Sequence, residues 1–290
     1  MPRSADRMDV YLDTNAVGYF DEHPAWSPER LVAARDRFRE HVQSGHMSVF
    51  MSYPLLEEVL GLLDFNAEKY FRVMAFLQDV SQFNLLRSTD ELGRAEATVG
   101  SLRGGNDRLE RFGTAVAVRR ALRTGRGLDN MPRLTQAAFR QFEVDENERR
   151  DTVRRRLADV NDERPIDGTR RWWKKAETEI DDWVSDHMVN NQTRLGLPDD
   201  RTSWPSPRAL QSIWRYYAYR MARIFLNVGE NRRVRGSDSY DAHHYAAASS
   251  MDILVSDDGD LRATCTVIPD QPFRLITFAE FVTDELGIAQ

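Results

Sequence analysis

The hydrophobic positions in the first hundred residues alternate between two periods, and the same alternation returns after residue 236. Short continuous apolar runs predict strands, and they occupy residues 10–12, 47–51, 83–86, 253–255 and 273–276. Between these runs, apolar residues recur every three or four positions, as on the buried face of a helix. This alternation of strand and helix predicts an α/β fold, with a parallel sheet covered by helices.

Polar residues that cap helices mark where several of the predicted helices begin. Ser27 stands immediately before a proline, which is favoured in the first helical turn. Ser88 with Glu91, and Thr277 with Glu280, have the spacing of a capping box. We therefore predict that helices begin at these three points.

The pattern changes between residues 103 and 235. Strand-like runs disappear, and helix-forming residues, arginine pairs and tryptophans dominate, as in the segment 170–175. This predicts a mainly α-helical insertion that divides an α/β core into residues 1–102 and 236–290. Arginines with aromatic side chains can hold single-stranded nucleic acid, but we favour the interpretation that this segment is a solvated helical face with a tryptophan core beneath it.

The composition is that of a soluble globular protein, with 41% hydrophobic and 30% charged residues. No apolar run approaches the roughly 20 residues that a membrane span requires, and the first residues lack the pattern of a secretory signal. Cys265 is the only cysteine, so an internal disulfide is excluded and a reducing compartment is expected. We therefore predict a cytoplasmic protein that does not contact a membrane.

The formal net charge of −6 argues against a protein that coats nucleic acid, because phosphate neutralisation supplies most of the affinity of such binders. It does not exclude a nuclease, since bound cations and local arginine clusters can receive the phosphates. Net charge therefore carries little weight in the functional prediction.

Acidic residues stand at four places where strands end or helices begin. They are Asp13 after the first strand, Glu57 and Glu58 after the second, Asp238 and Asp241 at the start of an alanine-rich helix, and Asp257, Asp258 and Asp260 after the strand 253–255. In an open parallel sheet, ligands bind outside the carboxyl ends of the strands. Parallel strands would bring Asp13 and Asp258 to this edge, with Asp241 and one glutamate nearby. The leucine pattern does not say which glutamate.

Carboxylates gathered at one edge would repel one another and raise their own pKa values. A hard cation such as Mg²⁺ or Mn²⁺ relieves this repulsion, because it takes oxygen ligands and keeps waters for chemistry. Such a cation can activate water and stabilise charge on a phosphate, which suits phosphodiester hydrolysis. Each acid taken singly is also a common turn or helix-capping residue, so the prediction depends on the four places together.

The first two acidic places resemble segments of the PIN-like nuclease family. The first strand ends in Asp13 with Asn15 close behind it, which is similar to the family's opening strand and first acid. Residues 52–61 resemble its segment of a serine, a glutamate several residues later and a glycine four residues after that. This match favours Glu57 over Glu58 as the second acid.

The last two acidic places resemble the same family. Asp241 begins a helix similar to the one that carries the family's third acid. Residues 252–261 resemble its strand that ends in Thr or Ser, any residue, and Asp, with another Asp two positions later. In this register the fourth acid is Asp258, and Ser256 and Asp260 are supporting residues.

The resemblance covers residues 8–102 and 236–290 and implies a PIN-like three-layer α/β/α fold around a central parallel sheet. It also implies Mg²⁺- or Mn²⁺-dependent cleavage of RNA, less often of DNA. The implied catalytic and metal-holding acids are Asp13, Glu57, Asp241 and Asp258, with Asn15, Ser256, Asp260 and Asp238 in support. The long insertion departs from the small toxin members of the family, as do His243 and His244, which stand at positions that are often aliphatic.

Other chemistries fit the sequence less well. A haloacid-dehalogenase-like phosphatase would need a second acid two residues after Asp13, where Asn15 stands. A glycine-rich phosphate loop is missing. His243 and His244 are helix neighbours that point in different directions, so at most one faces the site, and we interpret both as packing or surface residues. Cys265 has no nearby base in the pattern and is interpreted as a small buried residue.

Two functional hypotheses follow. The first is a metal-dependent endoribonuclease with a nucleic-acid substrate and water as the nucleophile. The second is a PIN-like module that binds a docking or inhibitory protein through the helical insertion and keeps a weak or lost nuclease site. The sequence leaves base preference, biological role and oligomeric state open.

Overall fold

At the centre of the molecule is a sheet of four parallel strands in the order β2-β1-β3-β4. The strands are β1 (Met8–Leu12), β2 (Met47–Phe50), β3 (Ile253–Val255) and β4 (Arg274–Ile276). The structure is a computed structural model, and the residues that it describes are 7–99, 102, 108–110, 112–124, 144–152, 170–229 and 232–289. The predicted α/β fold with a parallel sheet is confirmed.

Helices connect the strands and pack on both faces of the sheet. Before residue 125 they are α1 (Thr14–Asp21), α2 (Pro28–Gln43), α3 (Tyr53–Phe65), α4 (Ala67–Ser81), α5 (Thr89–Val99) and α6 (Phe112–Thr124). The later helices are α7 (residues 144–152), α8 (Arg170–Asn190), α9 (Gln192–Leu195), α10 (Gln211–Gly229), α11 (Asp238–Ala248), α12 (Gly259–Val267) and α13 (Phe278–Glu280), which continues as a π-helical turn over Phe281–Glu285. Two 3-10 turns, Arg201–Ser203 and Pro207–Ala209, lie between α9 and α10.

The two faces of the sheet belong to two separate hydrophobic clusters. In β1, Val10 and Leu12 lie in one cluster and Tyr11 in the other, because successive side chains of a strand point to opposite faces. The strands β2 and β3 alternate in the same way, with Phe50 and Leu254 on the Tyr11 side. The first cluster is closed by α1 to α4 and α13, and the second by α8 and α10 to α12. Helices therefore form a layer on each side of the sheet.

The helix starts that the capping residues predict are confirmed. Ser27 accepts a hydrogen bond from the backbone of Arg30 at the start of α2. Ser88 and Glu91 form a reciprocal capping box, with N–H donors at 3.2 and 3.3 Å. Thr277 and Glu280 form the same arrangement at α13. Local side-chain chemistry thus sets the boundaries of these helices.

The strand predicted at residues 83–86 is wrong. Leu85 and Leu86 form only isolated bridges, to Met51 and Leu109. Gln82 and Phe83 have positive φ angles of 47° and 64°, so the chain turns here in the left-handed region. An apolar run does not reveal such a turn, because the pattern of hydrophobic residues carries no information on φ.

Most of what the structure describes between residues 103 and 235 is helical. The rest consists of turns and loops, with one isolated bridge at Leu109. The helix α10 packs on α5, α11 and α12, and so covers the second face of the sheet. The division of the chain at residues 102 and 236 stays a prediction. Although α8 and α10 are long, no helix among the described residues is long and apolar enough to cross a membrane.

Candidate functional site

The carboxyl ends of β1 and β3 lie side by side where the strand order reverses. The chain passes from β1 to β2 on one side and from β3 to β4 on the other, which makes the gap between β1 and β3 a topological switch point. Leu12 pairs with Val255, and Asp13 donates its backbone N–H to the Val255 carbonyl at 3.1 Å. The first residues beyond these strands, Asp13 and Ser256, therefore begin the candidate site.

Asp13 is a buried acid whose carboxyl oxygens are both hydrogen-bonded. Its Oδ1 caps α1 by accepting the Ala16 N–H at 2.7 Å, and its Oδ2 accepts a short hydrogen bond from the Ser256 hydroxyl. Burial raises the pKa of Asp13 to about 6 against the effect of these two donors, and the charge of Glu58 adds to the rise. The Asp13 carboxylate is thus fixed by hydrogen bonds in a buried position that disfavours its ionised form.

Asp258 approaches Asp13 through a shared partner. Ser256 Oγ, which donates to Asp13, also accepts the backbone N–H of Asp258 at 3.1 Å. The Asp258 side chain caps α12 by accepting the Leu261 N–H at 2.8 Å. Two of the predicted acids are therefore positioned by one buried serine and two helix N-termini.

Asp241 lies in the first turn of α11 and completes the same edge. Burial raises its pKa to about 7, with a further contribution from the negative charge of Asp258, while His244 opposes the rise. Asp238 and Glu58 add smaller repulsive effects. Four chain segments therefore bring acids near enough to this edge for their charges to influence one another's pKa values.

Glu58, on α3, is held by two donors. Its Oε2 receives the Thr14 hydroxyl in a short hydrogen bond and lies 2.7 Å from His244 Nε2. Burial alone would raise the pKa of Glu58, but His244 and Thr14 outweigh it and lower that pKa. For His244, burial alone would lower the pKa, but the negative charges of Glu58, Asp241 and Asp13 outweigh it and raise that pKa. We call Asp13, Glu58, Asp241 and Asp258 the sheet-edge acids.

The structure places Glu57 and Asn15 apart from these contacts. Glu57 is partly buried and hydrogen-bonds to Tyr240, and burial together with Glu57 raises the pKa of that tyrosine. Asn15 is exposed in the first turn of α1. The geometry thus favours Glu58, rather than Glu57, as the glutamate beside Asp13 and Asp241. The leucine pattern left this choice open, and the resemblance to the PIN-like family favoured Glu57.

Two predicted supporting residues are paired with arginines. Asp238, which is buried, lies 3.4 Å from Arg223 Nε and accepts the Arg235 backbone N–H. Asp260 is 42% exposed and pairs with Arg223 at 2.9 Å and Arg232 at 2.8 Å. Arg223 is on α10, so the predicted insertion contributes a buried cation next to the sheet edge. Ser256, the third supporting residue, lies against Asp13.

The role of His244 was missed at the sequence level, although a signal was present. His244 follows Asp241 by three residues on α11, a spacing that puts two side chains on the same helix face. His243 points elsewhere, hydrogen-bonds to Thr89 at 3.1 Å and packs against Tyr216. Burial lowers the pKa of His243 to about 4. At most one of the two histidines faces the acids, as predicted, and it is His244.

Comparison of the chain with protein-family models, with curated proteins and with solved structures gave no match. The functional argument therefore rests on the site itself.

The sheet-edge acids fit a hard divalent cation in the chemistry of their donors. Carboxylate oxygens are the ligands that Mg²⁺ and Mn²⁺ prefer, and burial, with a smaller effect of neighbouring carboxylates, raises the pKa values of Asp13 and Asp241. Among the described residues, no three His, Cys, Asp or Glu side chains already form a group that could hold a metal ion. Side-chain rotations would therefore have to draw the carboxylates together.

Proposed function

We propose that this protein is a divalent-metal-dependent nuclease with a PIN-like three-layer α/β/α fold. The observation that carries the proposal is the gathering of acids from four distant segments at the switch point of the sheet. Burial and neighbouring carboxylates raise the pKa of two of them, Asp13 and Asp241. Such a cluster is stabilised when a cation binds it. The order of the acids along the chain also agrees with the resemblance to the PIN-like family.

In this proposal some residues would coordinate the metal ion, and others would keep those ligands in position. The sheet-edge acids offer the oxygen ligands. When bound, a hard divalent cation lowers the pKa of a coordinated water and stabilises charge on a phosphate. Ser256 and the N-terminus of α1 keep Asp13 in place, and His244 with Thr14 keeps Glu58 in place. The chain thus contributes position and negative charge.

RNA is the first substrate to test, because the family that the motifs resemble cleaves RNA more often than DNA. The purified protein is incubated with Mn²⁺ and mixed RNA and DNA oligonucleotides, next to Asp13→Asn and the exposed-acid control Asp36→Asn. We expect cleavage by the wild type and by Asp36→Asn, and a loss of about 10³-fold or more in Asp13→Asn, equivalent to about 4 kcal/mol. Equal cleavage by wild type and Asp13→Asn would contradict the proposal. Cleavage of no substrate by the wild type would favour the protein-binding alternative.

A second pair of variants tests which glutamate belongs to the site. Glu58→Gln removes the carboxylate that contacts Thr14 and His244, whereas Glu57→Gln changes the residue beside Tyr240. We expect Glu58→Gln to lose about 10²-fold or more of the cleavage rate and Glu57→Gln to stay within about threefold. The opposite order would restore Glu57 as the second acid.

A further inference from the structure

Glu57 and Glu58 are adjacent on α3, and either could in principle be the second acid of the proposed metal site. Successive helix residues point about 100° apart, so Glu57 and Glu58 cannot turn the same way. Glu58 faces His244 and Thr14, and Glu57 faces Tyr240. The contacts that α3 makes with other elements therefore determine which of the two carboxylates faces the site.

His244 is fixed at both ring nitrogens. Its Nε2 lies 2.7 Å from Glu58 Oε2, and its Nδ1 lies 2.7 Å from the Tyr11 hydroxyl. A carboxylate oxygen can only accept a hydrogen bond, so Nε2 is the donor in the first contact. The ring is only 2% exposed. It therefore cannot rotate without losing a buried hydrogen bond.

The hydrogen bonds of His244 continue through Tyr11 and Ser52 to α3, the helix that carries Glu58. The Tyr11 hydroxyl, which is fully buried, makes a short hydrogen bond to Ser52 Oγ. Ser52 caps α3 by accepting the Leu55 N–H at 3.3 Å. The first turn of α3, the strand β1 and the helix α11 are thus connected through one imidazole.

Thr14 gives the chain of hydrogen bonds a direct connection to Asp13. It follows Asp13 in sequence, and its hydroxyl donates to the same Oε2 that His244 contacts. Two donors from different elements, Thr14 on α1 and His244 on α11, therefore hold the same oxygen of Glu58.

We infer that His244 is a positioning residue that selects Glu58, rather than Glu57, as the second acid of the metal site. This inference rests on the proposed function. Partners of this kind orient the ligands of metal sites, and their loss weakens metal affinity or activity by about 10- to 100-fold. His243 provides a matched comparison, because it is the neighbouring histidine on α11 and contacts Thr89 and Tyr216.

The test compares His244→Leu, His244→Gln and His243→Leu with the wild type in the full chain. Calorimetry measures the Mn²⁺ dissociation constant, and crystal structures of the metal-free proteins locate the Glu58 side chain. We expect His244→Leu to weaken Mn²⁺ binding about 10- to 100-fold and to release Glu58 from Thr14. His244→Gln keeps an amide donor and is expected within about threefold of wild type, and His243→Leu within about twofold.

Two results would overturn the inference: an unchanged Glu58 position in His244→Leu, or an equal loss of Mn²⁺ affinity in His243→Leu. Should His244→Leu fail to fold, His244→Asn replaces it, because its shorter amide cannot reach Glu58. If the wild type binds no Mn²⁺, the proposed function fails, while the position of Glu58 in the metal-free structures still decides the role of His244.

Discussion

Glu146 and Asp13 are buried carboxylates in two different regions of this molecule, and their surroundings are opposite. Glu146, on α7, is 1% exposed and contacts two arginines, Arg149 at 2.8 Å and Arg220 through a short ion pair. Asp13, at the sheet edge, is 4% exposed and is held by a serine hydroxyl and a backbone N–H. Glu146 is thus paired with positively charged side chains of the protein itself.

The difference between the two regions separates acids that serve the fold from acids that can serve a ligand. A buried carboxylate without a cation raises its own pKa, as Asp13 and Asp241 do. A buried carboxylate paired with arginine instead joins two elements, as Glu146 joins α7 to Arg220 of α10. We therefore expect substitutions in the helical layer to change stability, and substitutions at the sheet edge to change ligand binding.

The largest effect on stability is expected for Arg220→Met, which leaves Glu146 buried with only the more exposed Arg149 beside it. Removing one partner of a buried ion pair costs about 3–5 kcal/mol. Urea denaturation measures the free energy of unfolding of the variant, and the double variant Arg220→Met/Glu146→Met serves as the control that removes the stranded charge. A loss below about 1 kcal/mol for the single variant would show that the pair does not hold α7 on α10.

An effect of opposite sign is expected at the sheet edge in Asp241→Asn. The folded protein raises the pKa of Asp241 from 3.8 to about 7. An acid with a raised folded-state pKa destabilises the fold increasingly as pH rises from its unfolded pKa to its folded pKa. Without metal, Asp241→Asn should therefore be more stable than wild type at pH 8, by roughly 2–4 kcal/mol.

The pH dependence of this gain provides its own control. At pH 4 the wild-type carboxyl is protonated in the folded state, so the advantage of Asp241→Asn should nearly disappear. The difference between variant and wild type measures Asp241 together with its coupling to His244 and Glu58, because these groups influence one another. A gain that is equal at pH 4 and pH 8 would contradict the burial of a costly charge. The exposed-acid variant Asp36→Asn should show no such trend.

The smallest effect is expected for Asp260→Asn. Asp260 belongs with the paired acids, since it contacts Arg223 and Arg232, and its side chain is 42% exposed. Exposed ion pairs contribute about 0–1 kcal/mol, and Arg223 keeps Asp238 as a partner. The variant should lose at most about 1 kcal/mol of unfolding free energy and stay within about threefold in cleavage. A larger loss of cleavage at unchanged stability would move Asp260 into the site.

The alternation of strand and helix was predictable because it depends on local patterns. Apolar runs, capping serines and the threonine at α13 act within a few residues, and the structure confirms the elements that they predict, except the strand at residues 83–86. The turn at Gln82 and Phe83 was not predictable from those patterns, since it depends on backbone angles that apolar side chains do not signal.

The acids of the site were predictable as a group but not in their contacts. The ends of β1 and β3 indicated Asp13 and Asp258, because parallel strands end at the same edge. The choice between the two glutamates depends on His244, which is 186 residues away from Glu58 in the chain. Arg223 approaches Asp238 and Asp260 from α10, a helix whose packing the local sequence does not reveal. Contacts of this kind arise only from the tertiary fold.

The most direct test of the central claim is a calorimetric titration of the metal-free protein with Mn²⁺, performed on wild type and on Asp13→Asn. If the sheet-edge acids form one cation site, the wild type should bind Mn²⁺ and release protons at pH 6.5, because Asp13 and Asp241 must lose theirs. Saturation at about 100 times the dissociation constant should add about 2.7 kcal/mol to its unfolding free energy. Asp13→Asn should bind at least about 30-fold more weakly. Equal binding by both proteins, or no binding by the wild type, would contradict the claim.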